Sequence, residues 1–405
     1  MKTIVIAGGG AAGFFAAINI AEKTPGSRVI ILEKSSKLLE KVRISGGGRC
    51  NTTHACFDPK ILTKFYPRGE RELLSPFMRF NPSNTIQWFE KRGVHLKKES
   101  DGRMFPSTNN SETIINCFMQ AALKNGIEIC TNEGLDALRF SASQNLWHIQ
   151  TGKGRNIQAQ AVVICSGSTP RTWQLLSALG HTITPSVPSL FTFNIKDERL
   201  KNLAGISLQN ATIAIKSLKL QETGALLITH WGLSGPAILR LSAWGARSLH
   251  QATYKFDLSV DFTGMGVPAI LPLIEAYKSN NPKKTIGNSH LFNIPERLWK
   301  QIISKETQEK KWADASKKQL LQIVEDIANA TFQVSGKSTF KDEFVTAGGV
   351  HLKEVDFKTM QSKLLPHLYF AGEVLDIDAI TGGFNFQAAW TTAWIVSESI
   401  AAHNA

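Results

Sequence analysis

The hexapeptide GGGAAG at residues 8–13 follows the β-branched run TIVIA at 3–7 and opens the stretch AAGFFAAINIAEK, whose apolar residues recur at helical spacing. Strand, glycine turn and helix in immediate succession form a unit that grips a dinucleotide. Gly8 permits the tight turn, Gly10 lets the backbone approach a pyrophosphate, and Gly13 lets the helix lie close to the sheet. The phosphates then meet the N–H groups at the helix amino end, around Ala11 and Ala12. The run RVIILEK at 28–34 supplies a second parallel strand ending at Glu33 and Lys34, where a carboxylate accepts hydrogen bonds from ribose hydroxyls. A glycine triplet alone also fits a plain structural turn; the order strand, glycines, helix, strand, acid favours the nucleotide.

The same opening, with its lysine, apolar run and small residues, has the outline of an export leader. Three glycines would interrupt the apolar core of such a leader, and the residues after them continue as a fold element, so the dinucleotide reading is preferred. No apolar stretch reaches the roughly 18 residues of a membrane span. The chain has 405 residues, 42% of them hydrophobic and 20% charged, the composition of a globular protein with two or three domains. Its five cysteines are odd in number and form no CxxC pair, which points to a reducing compartment and a cytoplasmic location. The formal charge of +13 suits an acidic ligand or polyanion without requiring one.

The first unit does not distinguish FAD from NAD, because both share the ADP half. The far end of the chain does. In HLYFAGEVLDIDAITGGFNFQAAW, a strand near Leu368 leads to the Gly372–Glu373 turn, a loop, the pair Gly382–Gly383 and a helix starting near Asn385, with Phe384 just before it as a further cofactor contact. A ribitol chain separates pyrophosphate from ring only in flavin nucleotides, and Glu373 at the strand end is placed to bond one of its hydroxyls. The helix would aim its positive end at the flavin N1–C2=O edge. A second glycine-rich element, KVRISGGGRCNTT, places Lys41, Arg43, Ser45, Gly46, Gly47, Gly48, Arg49, Cys50 and Asn51 where bare amides and cations meet the pyrophosphate or flavin edge. Cys50, His54 and Cys56 in one loop, with no partner pair elsewhere, do not make a zinc site, and no metal is expected.

These blocks, with DGRMFP, THWGLSGPAILRLS and VTAGGV, resemble the bacterial FAD-dependent flavoproteins of the aminoacetone-oxidase-like family, which also includes a flavoprotein implicated in bile-acid dehydroxylation. The resemblance spans nearly the whole chain. It implies an α/β fold: a discontinuous Rossmann-like FAD-binding domain, an inserted β-rich domain and a small helical domain. It carries over Gly8, Gly10, Gly13, Glu33, the Ser45–Asn51 loop, Gly372, Glu373, Asp376, Gly382, Gly383 and Asn385 as cofactor contacts. The chain departs from the family pattern at Leu39–Glu40, at Ala379 and at Thr391–Thr392.

Composition and patterning divide the chain into an FAD-binding domain over 1–188 and 337–405, a β-rich substrate domain over 189–268 and helices over 269–336. QAQAVVICSGS is read as a strand ending in a turn at Ser166 and Gly167 that touches the cofactor. THWGLSGPAILRLS is read as a loop followed by a helix from Ser234, and KSTFKDEFVTAGGV as the return to the FAD domain. No second GxGxxG follows a strand, so any NAD(P)H would visit the flavin transiently. His230 is the candidate acid/base or substrate contact and Arg103 a candidate carboxylate or flavin contact, against a structural histidine and a surface ion pair. The expected chemistry is hydride transfer between a small organic substrate and flavin N5. A flavoprotein acting on RNA through the lysines of 278–318 is the alternative; a solvated lysine face is the preferred reading of that stretch.

Overall fold

Residues 1–338 and 345–403 are described in a computed structural model of the chain. The β-branched runs Thr3–Ala7 (β1) and Arg28–Leu32 (β2) pair in parallel, Ile4 opposite Val29 and Ile6 opposite Ile31. The short strand Glu128–Cys130 (β3) adds beyond β2, Ala161–Ile164 (β4) adds on the other side of β1, and Leu368–Phe370 (β5) adds beyond β4, all parallel. Two antiparallel strands, Val355–Asp356 and Gln361–Ser362, complete a seven-stranded sheet. Residues 4–7 of β1 and all of β4 and β5 are buried, as expected for parallel strands covered on both faces.

One cover is the helix Ala11–Lys23 (α1), where nine consecutive residues from Ala12 to Ile20 are buried. Another is the carboxyl-terminal helix Phe384–Ala402 (α2), apolar nearly all round because it is enclosed. The two helices pack on each other. Phe15 of α1 lies 5.3 Å from Trp390 of α2 and 4.6 Å from Trp88, and Lys23 sits over the Trp394 ring at 3.4 Å. What begins as an apparent leader is thus the interior strand and helix of the fold.

The chain divides into two compact units, 1–187 with 345–405, and 188–344. The second contains a closed antiparallel barrel in the order Thr192–Ile195, Gly232–Ser234, Leu220–Thr229, Ser207–Ile215, Phe256–Asp261, Ala330–Ser338. Two local readings change here. Gly232–Ser234 is a barrel strand, and the helix after it begins at Pro236 behind Gly235. Residues 330–335 are not helical; they belong to the strand that closes the barrel, because alternate residues Ala330, Phe332 and Val334 are buried. Barrel and helices share one apolar core in which Ile213, Leu258, Trp299, Trp312 and Ile323 are completely buried. Of the segment 337–350, residues 339–344 lie outside the described residues.

Candidate functional site

The glycine turn is shaped by contacts with strands far away in sequence. A Cβ on Gly8, whose φ is +119°, would sit 2.4 Å from the Cys165 carbonyl oxygen at the end of β4, and one on Gly13 would sit 1.9 Å from Gly8 O. Both positions are closed to any side chain. Gly10 differs: it is extended, with φ −93° and ψ −166°, and a Cβ there meets nothing within 4 Å. Gly10 is the amino cap of α1, with no side-chain cap and no acid in the first turn, so the positive end of the helix is left to an anion.

A cleft of about 260 Å³ opens at this point, over the carboxyl ends of β1, β2, β4 and β5. It gathers Gly8, Gly10, Ala11, Ala12, Glu33, Lys41, Ser166, Gly167, Gly372, Glu373 and Asn385 from the sequence reading. It adds Gly9, Ser35, Lys37, Ser168, Thr169 and Phe386, which the motifs do not mark; Ser35 and Lys37 lie just past the strand-end acid Glu33. Glu33 accepts from Gly9 N at 2.8 Å and from Ser35 N at 2.9 Å, so the carboxylate is held in place by its own loop. Ser166 Oγ is buried with no hydrogen-bond partner, a donor and acceptor left for whatever occupies the cleft.

The chain's two ends meet here. A Cβ on Gly372, which has φ +74°, would lie 3.0 Å from Ala12 Cβ, and Gly372 N donates to Thr392 Oγ1 on α2 at 3.0 Å. Glu373 pairs with Lys41. Thr392, one of the departures from the family pattern, is therefore the residue that ties the β5 turn to the last helix.

The glycine-rich element is helical from Glu40, then unwinds at Ser45, Gly46 and Gly47; Gly46, Gly47 and Gly48 all have positive φ. Arg43 pairs with Glu112. Arg49 donates to Glu99 at 2.6 Å and lies over the Phe105 ring at 4.0 Å. Arg103 donates to the same Glu99 and to Asp101, so both arginines are engaged by acids. Burial pushes the Cys50 thiol up to about 11, which leaves it neutral. Asn51 bridges to the far end of the chain: its carboxamide nitrogen donates to Thr53 O at 3.1 Å and its oxygen accepts from Gly383 N at 2.9 Å. Gly13, Lys34, Arg43, the Ser45–Asn51 segment, Asp376, Gly382, Gly383 and Phe384 do not line the cleft itself.

Beside Gly382–Phe384 sits His54, stacked on Phe384 at 4.5 Å. Its Nε2 meets Asp101 O at 3.1 Å, and its Nδ1 is buried without a partner. Burial, opposed by the Asp101 carbonyl, lowers its pKa and keeps the ring neutral. The sequence marks it only as one of three potential metal ligands with Cys50 and Cys56, not as a neighbour of the last helix. His230 lies on the second unit, exposed in the turn between Leu220–Thr229 and Gly232–Ser234. Among the described residues no cluster of three or more His, Cys, Asp or Glu side chains is arranged for a metal ion, and no helix is long and apolar enough to cross a membrane.

A parallel sheet with an uncapped helix facing a cleft at the strand ends defines a Rossmann-type nucleotide-binding fold. The chain belongs to the family described as HI0933-like protein Rossmann domain, whose model matches residues 2–399. It is 26% identical to the 3-dehydro-bile acid delta(4,6)-reductase of Clostridium scindens, with 99% of each chain covered. It is 27% identical to the ribosomal RNA dihydrouridine synthase of Haemophilus influenzae and 25% identical to that of Escherichia coli, with 98% of each chain covered. Among solved structures, the 3-ketosteroid-delta4-(5alpha)-dehydrogenase of Rhodococcus jostii RHA1 shares the fold at TM-score 0.52 and 13% identity, covering 99% of this chain and 97% of that one.

Proposed function

We propose that the cleft holds FAD and that the protein is a flavin-dependent oxidoreductase acting on a carbon–carbon double bond conjugated to a carbonyl. The observation that carries the proposal is the convergence of Gly10, Glu33 and Glu373, from opposite ends of the chain, on one cleft that also contains the unpartnered Ser166 Oγ. The residues fit the cofactor. The amides at the start of α1 would hold the pyrophosphate, Glu33 the adenosine ribose, and Glu373 the ribitol. Asn51 fixes Gly383 at the head of α2, whose positive end would face the N1–C2=O edge. When bound, the flavin supplies the hydride-transfer chemistry at N5. The chain's part is to orient the cofactor, to place positive potential where charge develops, and to exclude water.

The substrate class rests on the relatives. A delta(4,6)-reductase saturates a double bond of a steroid ketone, and dihydrouridine is uridine whose uracil ring double bond, next to a carbonyl, is saturated. Two substrates share that chemistry. A small enone is the first reading. Uracil in RNA is the second, supported by two relatives that match over 98% of their length and by the +13 formal charge. NAD(P)H would serve as a transient donor.

Anaerobic titration tests this. The FAD-loaded protein is reduced with NADH or NADPH, then mixed separately with oxygen, cyclic enones and an RNA transcript. A nicotinamide should bleach the flavin, and an enone or RNA should reoxidise it faster than oxygen does. Reoxidation by oxygen alone, with an amine replacing the nicotinamide as the effective reductant, identifies an oxidase and overturns it.

A further inference from the structure

We infer that an exposed face of the second unit, built from Lys283, Lys311, Lys317 and Lys318, docks the phosphodiester backbone of RNA; this rests on RNA being a substrate. The stretch 278–318 carries ten lysines and arginines against four acids, so a tenth of the chain holds six of its thirteen net positive charges. The fold concentrates that charge further. The segments around 283 and 311, far apart in sequence, are joined by a short antiparallel ladder: Thr285 is opposite Lys311, Trp312 N donates to Lys284 O at 3.0 Å, and Ile286 N donates to Lys310 O at 2.9 Å. Ile286 and Trp312 are completely buried on one side of this ladder. Lys283 and Lys311 are both exposed beside this bridge.

A local electrostatic cost lies six residues further on. Lys317 and Lys318 occupy the first two positions of the helix Lys317–Ala328, behind a Ser316–Gln319 capping box and with no acid in the first turn. Cations are disfavoured at that end of a helix dipole. Acids in the stretch relieve other lysines: Glu296 pairs with Lys300 at 2.6 Å and Glu306 with Lys310 at 3.1 Å. Glu309 and Asp314 remain on the surface, and among the described residues the four lysines of the face make no ion pair. These four exposed lysines carry charge that no ion pair among the described residues takes up, and an extended polyanion would neutralise it. The exposed positions of the ladder carry no aromatic ring, so the contact is with phosphates and is independent of base sequence.

The test is fluorescence-anisotropy titration of the full-length, FAD-loaded protein with a labelled uracil-containing RNA hairpin at several KCl concentrations. It compares wild type with the quadruple variant Lys283→Gln, Lys311→Gln, Lys317→Gln, Lys318→Gln. A control of equal charge loss replaces the exposed Lys97, Lys124, Lys219 and Lys255. The face variant should lose about 3 from the slope of log affinity against log salt and roughly tenfold or more in affinity at fixed salt. Flavin content should be unchanged, the melting temperature of the face variant should not fall, and the control should bind RNA as wild type does. Equal slopes for wild type and face variant overturn the docking face while leaving RNA as a substrate. No wild-type binding at low salt, or binding only to phosphatidylserine vesicles offered in parallel, removes both.

Discussion

Gly10 and Gly13 stand three residues apart in one turn, yet an added methyl group meets opposite surroundings at the two. At Gly13 it strikes the Gly8 carbonyl, so Gly13→Ala should destabilise the fold by roughly 1–3 kcal/mol or more, read as a lower urea midpoint of the apoprotein. At Gly10 it enters open space on an extended backbone. Gly10→Val should leave the apoprotein's melting temperature close to wild type while abolishing FAD retention; a large loss of apoprotein stability would show that Gly10 serves packing. Glu33→Ala should weaken FAD binding by about 1.5–3 kcal/mol, roughly ten- to a hundredfold, measured by equilibrium dialysis. The glycine spacing and Glu33 are legible in the sequence because a turn, a helix start and a strand end are local events. Arg49 illustrates what is not. Its partner Glu99 lies fifty residues away and its ring partner Phe105 further still, contacts that spacing alone does not show.

At the scale of elements, the junction between the β5 turn and α2 hangs on Thr392, which accepts from Gly372 N and donates to Ala388 O at 2.6 Å. Thr392→Val keeps the shape and strands a buried N–H. It should cost about 1–3 kcal/mol of folding stability, and a variant as stable as wild type would show that the bond contributes nothing. A second joint ties the residues just before Ile183–Ser189 to the segment after Val345–Val350. His181 Nδ1 lies 3.0 Å from Glu354 Oε2, and its Nε2 lies 3.0 Å from Ser362 Oγ. Burial lowers the His181 pKa against the pull of Glu354. Burial alone would raise that of Glu354, but the hydrogen bonds from Thr182 and His181 together outweigh it and lower the value. Both shifts act in one direction. The unfolded chain takes up protons before the folded one as pH falls below the ordinary histidine value and then below the ordinary carboxylate value, so stability is lost on acidification. His181→Asn should flatten the fall in urea midpoint between pH 7 and pH 5.5; an unchanged slope would remove His181 as its source. The strand Ala330–Ser338 shows why elements can escape a linear reading: its short alternation directly follows a helical stripe, and only pairing with Phe256–Asp261 and Thr192–Ile195 makes it a strand.

At the scale of the whole molecule, the turn after the first strand and the start of the last helix meet at one cleft. The sequence shows both motifs but not their contact, which depends on Ala12 meeting Gly372 and on Phe15 packing against Trp390. The most direct measurement is titration of apoprotein with FAD, following the flavin spectrum and its stoichiometry, for wild type, Gly10→Val and Glu373→Ala. One FAD per wild-type chain, with binding lost at one end of the polypeptide and weakened at the other, is the predicted result. No uptake by the wild type, or equal affinity in all three proteins, would contradict it.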